Sequence, residues 1–450
     1  MTTTNYGLIR TMQVRNDNVP GVLGALATAI GSAGANVGNI QTVHISQNHV
    51  VRDIDIYVED EAHLLEVLRA VSGVSGVRVT ETRDDVMDIH QGGKIEIVSR
   101  HPVESIATLR KVYTPGVAEV CRAIVGEPAL AKRFTSIGNT VAIVTDGTAV
   151  LGLGNVGLPA AMPVMEGKAA LLQQFGGVNG APLLIDAPTV DDFVEAVVSV
   201  APTYSGIHLE DIASPHCFEV VDKLRRRLAV PVMQDDQDGT AAVVFGAVLT
   251  AMRLTGKRLG DVTIGQVGLG AAGQSIASLL MHASDRPVLG ADLNEDCLLR
   301  HAQLGGRQAS LTEIMATADV IISTTGVPGL ISPDLVRDGQ IVFALSNPDC
   351  EILPAAALEA GAALAADGAS VNNLLGYPGI WRGALGVRAT EINRAMLIAV
   401  GEALADATPP GELSPNPIDV ALHRRIAYAV GQAAVDSGVG EPDGLEQLEF

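Results

Sequence analysis

Val262-Thr263-Ile264-Gly265-Gln266-Val267 runs directly into Gly268-Leu269-Gly270-Ala271-Ala272-Gly273, and Gln274 to Met281 continues with helical spacing. A strand, a G-x-G-x-x-G loop and a helix in this order give the glycine motif its meaning. Gly268 permits the tight turn, Gly270 lets the backbone approach a pyrophosphate, and Gly273 allows close packing of helix on strand. Ala271 and Ala272 complete the same cofactor-binding loop. The next strand, Pro287 to Ala291, ends at Asp292, and 292 − 273 is 19. A carboxylate at that distance accepts the ribose hydroxyls of NAD and disfavours the additional phosphate of NADP. No Arg or Lys follows in Leu293-Asn294-Glu295-Asp296. These residues predict an α/β fold with a Rossmann NAD-binding domain.

Upstream, Gln234-Asp235-Asp236-Gln237-Asp238-Gly239-Thr240 places two adjacent carboxylates at the end of an apolar run, and a Gly-Thr pair opens a long apolar helix. His208-Leu209-Glu210-Asp211 ends another apolar run in a second carboxylate pair. Converging carboxylates without nearby His or Cys form a hard oxygen site, suited to Mg²⁺ or Mn²⁺ and poorly suited to zinc. A divalent metal beside a nicotinamide points to oxidation of a small anionic hydroxy acid.

The chain has 450 residues, room for about three domains. Hydrophobic residues make up 47% and aromatics only 3%, so the core is aliphatic and rich in alanine. A net charge of −21 argues against nucleic-acid or anionic-membrane partners. It leaves an anionic substrate open, because local charge in a cleft decides that. Cys121, Cys217, Cys297 and Cys350 stand singly, with no zinc or disulfide spacing, as in a cytoplasmic protein. Met1-Thr2-Thr3-Thr4-Asn5 lacks the features of a signal peptide, and no apolar run reaches the ~20 residues of a membrane span.

Residues 6 to about 85 read as strand, helix, strand, strand, helix, strand. Ile54, Ile56 and Val58 alternate with Asp53, Asp55 and Tyr57, as in a half-buried strand. The βαββαβ order and the turn Asn18-Val19-Pro20-Gly21-Val22-Leu23 resemble an ACT domain. That resemblance implies a regulatory module for a small-molecule effector, with Pro20 and Gly21 at the helix start. The alternative is a ferredoxin-like module that only oligomerises. Asp84 to Lys94, with Gly92-Gly93, reads as a linker. Beyond it, strand-like and helical runs alternate, and the tail is helical. The divisions expected are an ACT-like domain over 1–90, a substrate and metal domain over 95–240, the Rossmann domain over 241–390 and C-terminal helices over 391–450.

Taken alone, Tyr113 reads as a packing aromatic and Lys168 as a surface charge at the head of an apolar helix. Taken in order, several segments form one set. They are Tyr113-Thr114-Pro115-Gly116-Val117-Ala118, Thr145-Asp146-Gly147-Thr148, Leu151-Gly152-Leu153-Gly154-Asn155, Met165-Glu166-Gly167-Lys168, Leu209-Glu210-Asp211-Ile212 and Asp235-Asp236-Gln237-Asp238-Gly239-Thr240-Ala241. With Ser346-Asn347-Pro348, Val371-Asn372-Asn373 and Gly376-Tyr377-Pro378-Gly379-Ile380-Trp381-Arg382-Gly383, this order resembles the short bacterial malic enzymes from about Val98 to Thr408.

The resemblance implies NAD-dependent, metal-dependent oxidative decarboxylation of (S)-malate to pyruvate and CO₂ by a homodimer or larger homo-oligomer. It implies Lys168 as general base, with its pKa lowered by burial and metal charge. Asp235 would orient Lys168, and Tyr113 would protonate C3 of the enol. Glu210, Asp211 and Asp236 would hold the metal, and Asn347 and Asn373 the substrate carboxylate, with Asn347 also at the cofactor. Asp238, Asp349-Cys350, Ala149 and the short Ala366–Ser370 segment depart from the family pattern. The alternatives are a malolactic-type reaction on the same scaffold, an ACT-bearing amino-acid dehydrogenase and an inactive effector-binding protein.

Overall fold

The computed structural model describes residues 7–150, 153–347 and 349–448. Leu151 and Gly152 of the Leu-Gly-Leu-Gly stretch, Pro348, the first six residues and the last two lie outside them. The chain forms two compact units, residues 1–96 and 97–450.

The first unit runs β1 (Leu8–Asp17), α1 (Val22–Ser32), β2 (Asn36–Ile45), β3 (His49–Val58), α2 (Glu61–Ser72) and β4 (Val77–Arg83). Its antiparallel sheet has the order β2-β3-β1-β4. Met12, Val14, Ile54, Ile56 and Val58 point to one face, where Leu26, Ile30, Val67 and Val71 of the helices cover them. Alternation with Asp53 and Asp55 thus places one face of β3 in the core. The stretch read as a linker contains a short helix, α3 (Asp85–His90). Asp84 caps it by accepting the Met87 N–H at 3.1 Å, a local bond that composition alone conceals.

The second unit opens with α4 (Ile106–Val112), α5 (Val117–Gly126) and α6 (Leu130–Phe134). Then come β5 (Thr140–Thr145), α7 (Leu158–Gly176), β6 (Asn179–Leu184), α8 (Val190–Val200), β7 (Gly206–Leu209), α9 (His216–Arg227) and β8 (Val232–Gln234). These strands make a parallel sheet of order β6-β5-β7-β8. A π-helical turn, Asp235–Gly239, leads into α10 (Thr240–Thr255), most of which is buried. There follow β9 (Ile264–Val267), α11 (Ala271–Ser284), β10 (Leu289–Ala291), α12 (Glu295–Gln303), β11 (Arg307–Gln308), α13 (Leu311–Thr317), β12 (Val320–Ser323), β13 (Ile341–Ala344), α14 (Pro354–Glu359) and β14 (Leu364–Asp367). Their parallel order β11-β10-β9-β12-β13-β14 is that of a doubly wound dinucleotide fold.

Helices α15 (Tyr377–Gly386), α16 (Arg394–Ala407) and α17 (Val420–Asp436) close the chain. One apolar cluster runs from Val141 and Met233 through Phe245 and Ile264 to Trp381, Val400 and Ile426. It ties both parallel sheets to the C-terminal helices. Lys168 sits in the interior of α7, ten residues after its start, and not at the head of a helix as read from sequence. Pro163 and Gly167 look like breakers locally, but both lie inside this helix, whose buried Ala161, Met165, Ala169 and Leu172 hold it against the sheet.

Candidate active site

In parallel α/β sheets ligands gather at the carboxyl ends of the strands. Here Glu210-Asp211 directly follow β7, and β8 runs into the π-turn carrying Asp235 and Asp236. The Glu210 N–H donates to the Val144 carbonyl at 3.0 Å, which continues the β5–β7 ladder into the site. Asp211 has φ 52°, a left-handed conformation that non-glycine residues adopt mainly where the surroundings enforce it. Its N–H donates to Asp236 Oδ2 at 3.2 Å, and Gln234 Nε2 donates to the same oxygen at 2.7 Å.

Lys168 Nζ donates to Asp235 Oδ2 at 2.5 Å and lies 3.2 Å from Glu210 Oε1. The Tyr377 ring, part of the Gly376 to Gly383 motif but given no role from the sequence, sits 4.6 Å from the ammonium. Asn373 Nδ2 approaches Asp235 Oδ2 at 3.4 Å and donates to Thr240 Oγ1 at 3.0 Å. Burial pushes Lys168 down, but Asp235 and then Glu210 outweigh it and hold its pKa well above the usual value. This is opposite to the lowered value expected of a base. Burial pushes the Tyr377 hydroxyl well above its ordinary value, so it stays protonated.

Oxygens of Glu210, Asp211 and Asp236 lie within 4.8 Å of one another. Asp211 Oδ2 is buried with no partner. Burial, then the Glu210 charge, raises Asp211 to about 8 and Asp236 to about 7. For Glu210, burial acts upward, but Lys168 and the bond from His208 hold the carboxyl below its ordinary value. Three crowded carboxylates with an orphaned oxygen fit a divalent cation with hard oxygen ligands. The expectation of no nearby histidine does not hold. His208, on buried β7, bonds Glu210 Oε2 at 2.7 Å through Nε2. His208, Glu210 and Asp235 also converge, but both imidazole nitrogens are engaged inside the protein and the Lys168 ammonium joins the two carboxylates.

The glycine loop is tight where the motif requires it. Gly268 has φ 84°, and a Cβ there would meet the Thr324 carbonyl oxygen at 2.7 Å. A Cβ on Gly273 would lie 1.9 Å from the Gly268 carbonyl oxygen, whereas Gly270 faces open space. Ala271 and Ala272 begin α11. This cradle fits a dinucleotide phosphate. Asp292 accepts the Leu269 N–H at 2.6 Å with one oxygen and the Asn294 N–H at 2.8 Å with the other. It therefore braces the loop. Glu351, which sequence reading passed over, is fully buried and accepts from Thr325 N–H (2.6 Å), Thr325 Oγ1 (2.8 Å) and Ser346 Oγ (2.6 Å). It ties the loops after β12 and β13, beside exposed Asn347.

The single chain does not bring Tyr113 to this cluster. Tyr113 caps the C-terminus of α4, is 67% exposed, and shares no ring contact or side-chain hydrogen bond with Lys168 or the carboxylates. Pro20 and Gly21 lie exposed at the start of α1, in the other unit, where Gly21 has φ 94°. Among the described residues no helix is long and apolar enough to cross a membrane.

Fold and site together define a nicotinamide-dependent α/β oxidoreductase. Residues 92–225 match the malic enzyme N-terminal domain, and residues 8–81 match the ACT domain. NAD-dependent malic enzyme 1 of Bacillus subtilis (strain 168) is 50% identical over 430 residues, covering 95% of this chain and 98% of that protein. An NAD-dependent malic enzyme of Geobacillus stearothermophilus is 38% identical, covering 93% of each chain. The crystal structure of malic enzyme from Pyrococcus horikoshii OT3 superposes with TM-score 0.76 at 38% identity, covering 81% of this chain and 94% of that one. The chain belongs to the malic enzymes.

Proposed function

We propose that the chain oxidises (S)-malate with NAD and releases pyruvate and CO₂, working in the cytoplasm. The contact between Lys168 and Asp235, beside the Glu210, Asp211 and Asp236 carboxylates, carries this reading. Lys168 would accept the C2 hydroxyl proton, a nicotinamide bound at the glycine loop would supply the hydride acceptor, and Asp235 keeps the amine aimed. Asn347 and Asn373 bind the substrate carboxylate. Glu210, Asp211 and Asp236 would hold Mg²⁺ or Mn²⁺, whose charge polarises the substrate oxygen and offsets the carboxylate field on Lys168. Gly268 to Gly273 carry the pyrophosphate. The test is NADH formation from malate with Mn²⁺, scored for products. Pyruvate and CO₂ support the reading, and lactate without net NADH overturns it in favour of the malolactic reaction.

Asp292 is proposed to set the preference for NAD by accepting ribose hydroxyls and repelling a 2′-phosphate. Wild-type kcat/KM should be higher with NAD, and Asp292→Ser with Leu293→Arg should narrow or reverse the ratio. An equal or higher wild-type kcat/KM with NADP would remove Asp292 from this role.

Tyr113 is proposed as the acid that protonates C3, acting in a partner copy's site. Its surroundings support this. Ile97, Val98, Ile106, Leu109, Val112, Val117, Val125 and Phe134 expose apolar surface along the same segment, and α4 to α6 contain no buried residue. A second copy covering this face would make a dimer with shared sites. Mixing unfolded-and-refolded Lys168→Ala and Tyr113→Phe chains should then restore activity, because one site of each mixed dimer is intact. No recovery in a verified mixed dimer counts against sharing.

Residues 1–90 are proposed as a regulatory module that receives a small effector near Pro20 and Gly21. No side chain caps α1; the Val22 N–H donates to the Val19 carbonyl at 3.4 Å, and the N–H groups that follow it in the first turn are offered to an anion. A chain starting at residue 91 should turn over malate yet lose its response to amino acids or central-metabolism acids. Identical responses from the two chains would leave the module an oligomerisation device.

A further inference from the structure

His208 lies on β7 two residues from Gly206, on the same face, and is 1% exposed. A Cβ on Gly206 would meet the Trp381 ring at 2.2 Å, so the glycine makes the space that the edge of the indole fills beside the strand. From there Trp381 Nε1 donates to His208 Nδ1 at 2.9 Å. An indole N–H can only donate. Nδ1 must therefore present its lone pair, and the ring proton must sit on Nε2. That proton points at Glu210 Oε2, 2.7 Å away. The other Glu210 oxygen is left facing Lys168.

We infer that Trp381 and His208 are positioning residues that fix Glu210 for the metal. Trp381 sets the imidazole tautomer, and the neutral His208 Nε2–H anchors one carboxylate oxygen. The opposite tautomer would turn a lone pair toward Glu210 and repel it. Ligand carboxylates need such outer partners to hold their orientation. The arrangement also excludes His208 as a ligand, because neither nitrogen has a free lone pair for a cation.

This inference rests on the proposed metal site, and the experiment separates the two. In metal-free protein labelled with ¹⁵N-histidine, His208 should appear with Nε2 protonated and Nδ1 unprotonated. Its signal, one of ten histidines, is identified by its loss in His208→Gln. Mn²⁺ affinity is then read by EPR of free Mn²⁺, and NADH affinity by fluorescence. His208→Phe should weaken Mn²⁺ binding by about 10–100-fold with NADH binding unchanged. His208→Gln, whose amide N–H reaches as far as Nε2, should retain most of the affinity. Trp381→Phe should show both tautomers and an intermediate loss. An Nδ1-protonated His208, or unchanged Mn²⁺ affinity in His208→Phe while Asp236→Asn loses the ion, overturns this inference alone. Equal Mn²⁺ binding by wild type and Asp236→Asn overturns the metal assignment and the inference with it. If His208→Phe does not fold, the tautomer and the glutamine variant decide.

Discussion

Lys168→Ala is expected to lower kcat by ~10²-fold or more, the usual scale for a general acid–base group. The loss should fall on hydride transfer, because no other group in the cluster can take the hydroxyl proton from the same position. Asp235 is 2.5 Å away but is itself an acceptor for Lys168 and Asn373. Tyr377 is held protonated by burial. The variant also leaves the buried Asp235 and Glu210 without their cation, so lowered thermal stability should accompany the loss. NADH binding measured on the same protein separates a chemical defect from collapse. Tyr113→Phe should lose a similar factor but keep malate oxidation better, releasing product without stereospecific protonation at C3. If both variants lose oxidation to the same degree with NADH binding intact, the division of roles between Lys168 and Tyr113 fails.

What the sequence made legible was what is local. The strand, glycine loop and helix around Gly268 to Gly273 are contiguous, so their geometry follows from residue order. The βαββαβ unit was readable for the same reason, through the alternation of Ile54, Ile56 and Val58. Carboxylates at the ends of β7 and β8 were visible because each closes an apolar run. Partnerships across distance were not. Trp381 and His208 are 173 positions apart, and nothing local marks either as the other's partner. Tyr377 reaches Lys168 only because α15 packs on α7. The direction of the Lys168 shift depends on how closely Asp235 and Glu210 approach, and spacing in the chain cannot supply that. Tyr113 is the converse case. Family resemblance gave it a chemical role, while the folded chain leaves it on an apolar surface away from Lys168.

Gly239→Ala is expected to inactivate the enzyme nearly as fully as loss of Lys168, although it removes no functional group. Gly239 ends the π-turn that begins at Asp235. A Cβ at 239 would lie 2.0 Å from Asp235 Oδ1 and 2.9 Å from Asp235 Cγ, far inside contact distance. Its φ is −64°, so backbone conformation does not demand glycine; the space does. Asp235 cannot retreat easily, because it is fully buried and holds Lys168 and Asn373. Either the carboxylate rotates and releases Lys168, or the turn shifts and carries Asp236 away from Glu210 and Asp211. A misplacement of ~1 Å in such a group can cost on the order of 10²-fold in rate. The alanine variant should therefore lose about that factor in kcat, while NADH binding stays near wild type. Restoring the space tests the argument directly. Asp235→Asn leaves the clash, whereas Asp235→Ala removes the clashing oxygen, so combining Gly239→Ala with Asp235→Ala should cost little beyond Asp235→Ala alone. Near-normal turnover in the single Gly239→Ala variant would mean that Asp235 yields freely and is not the rigid orienting group for Lys168.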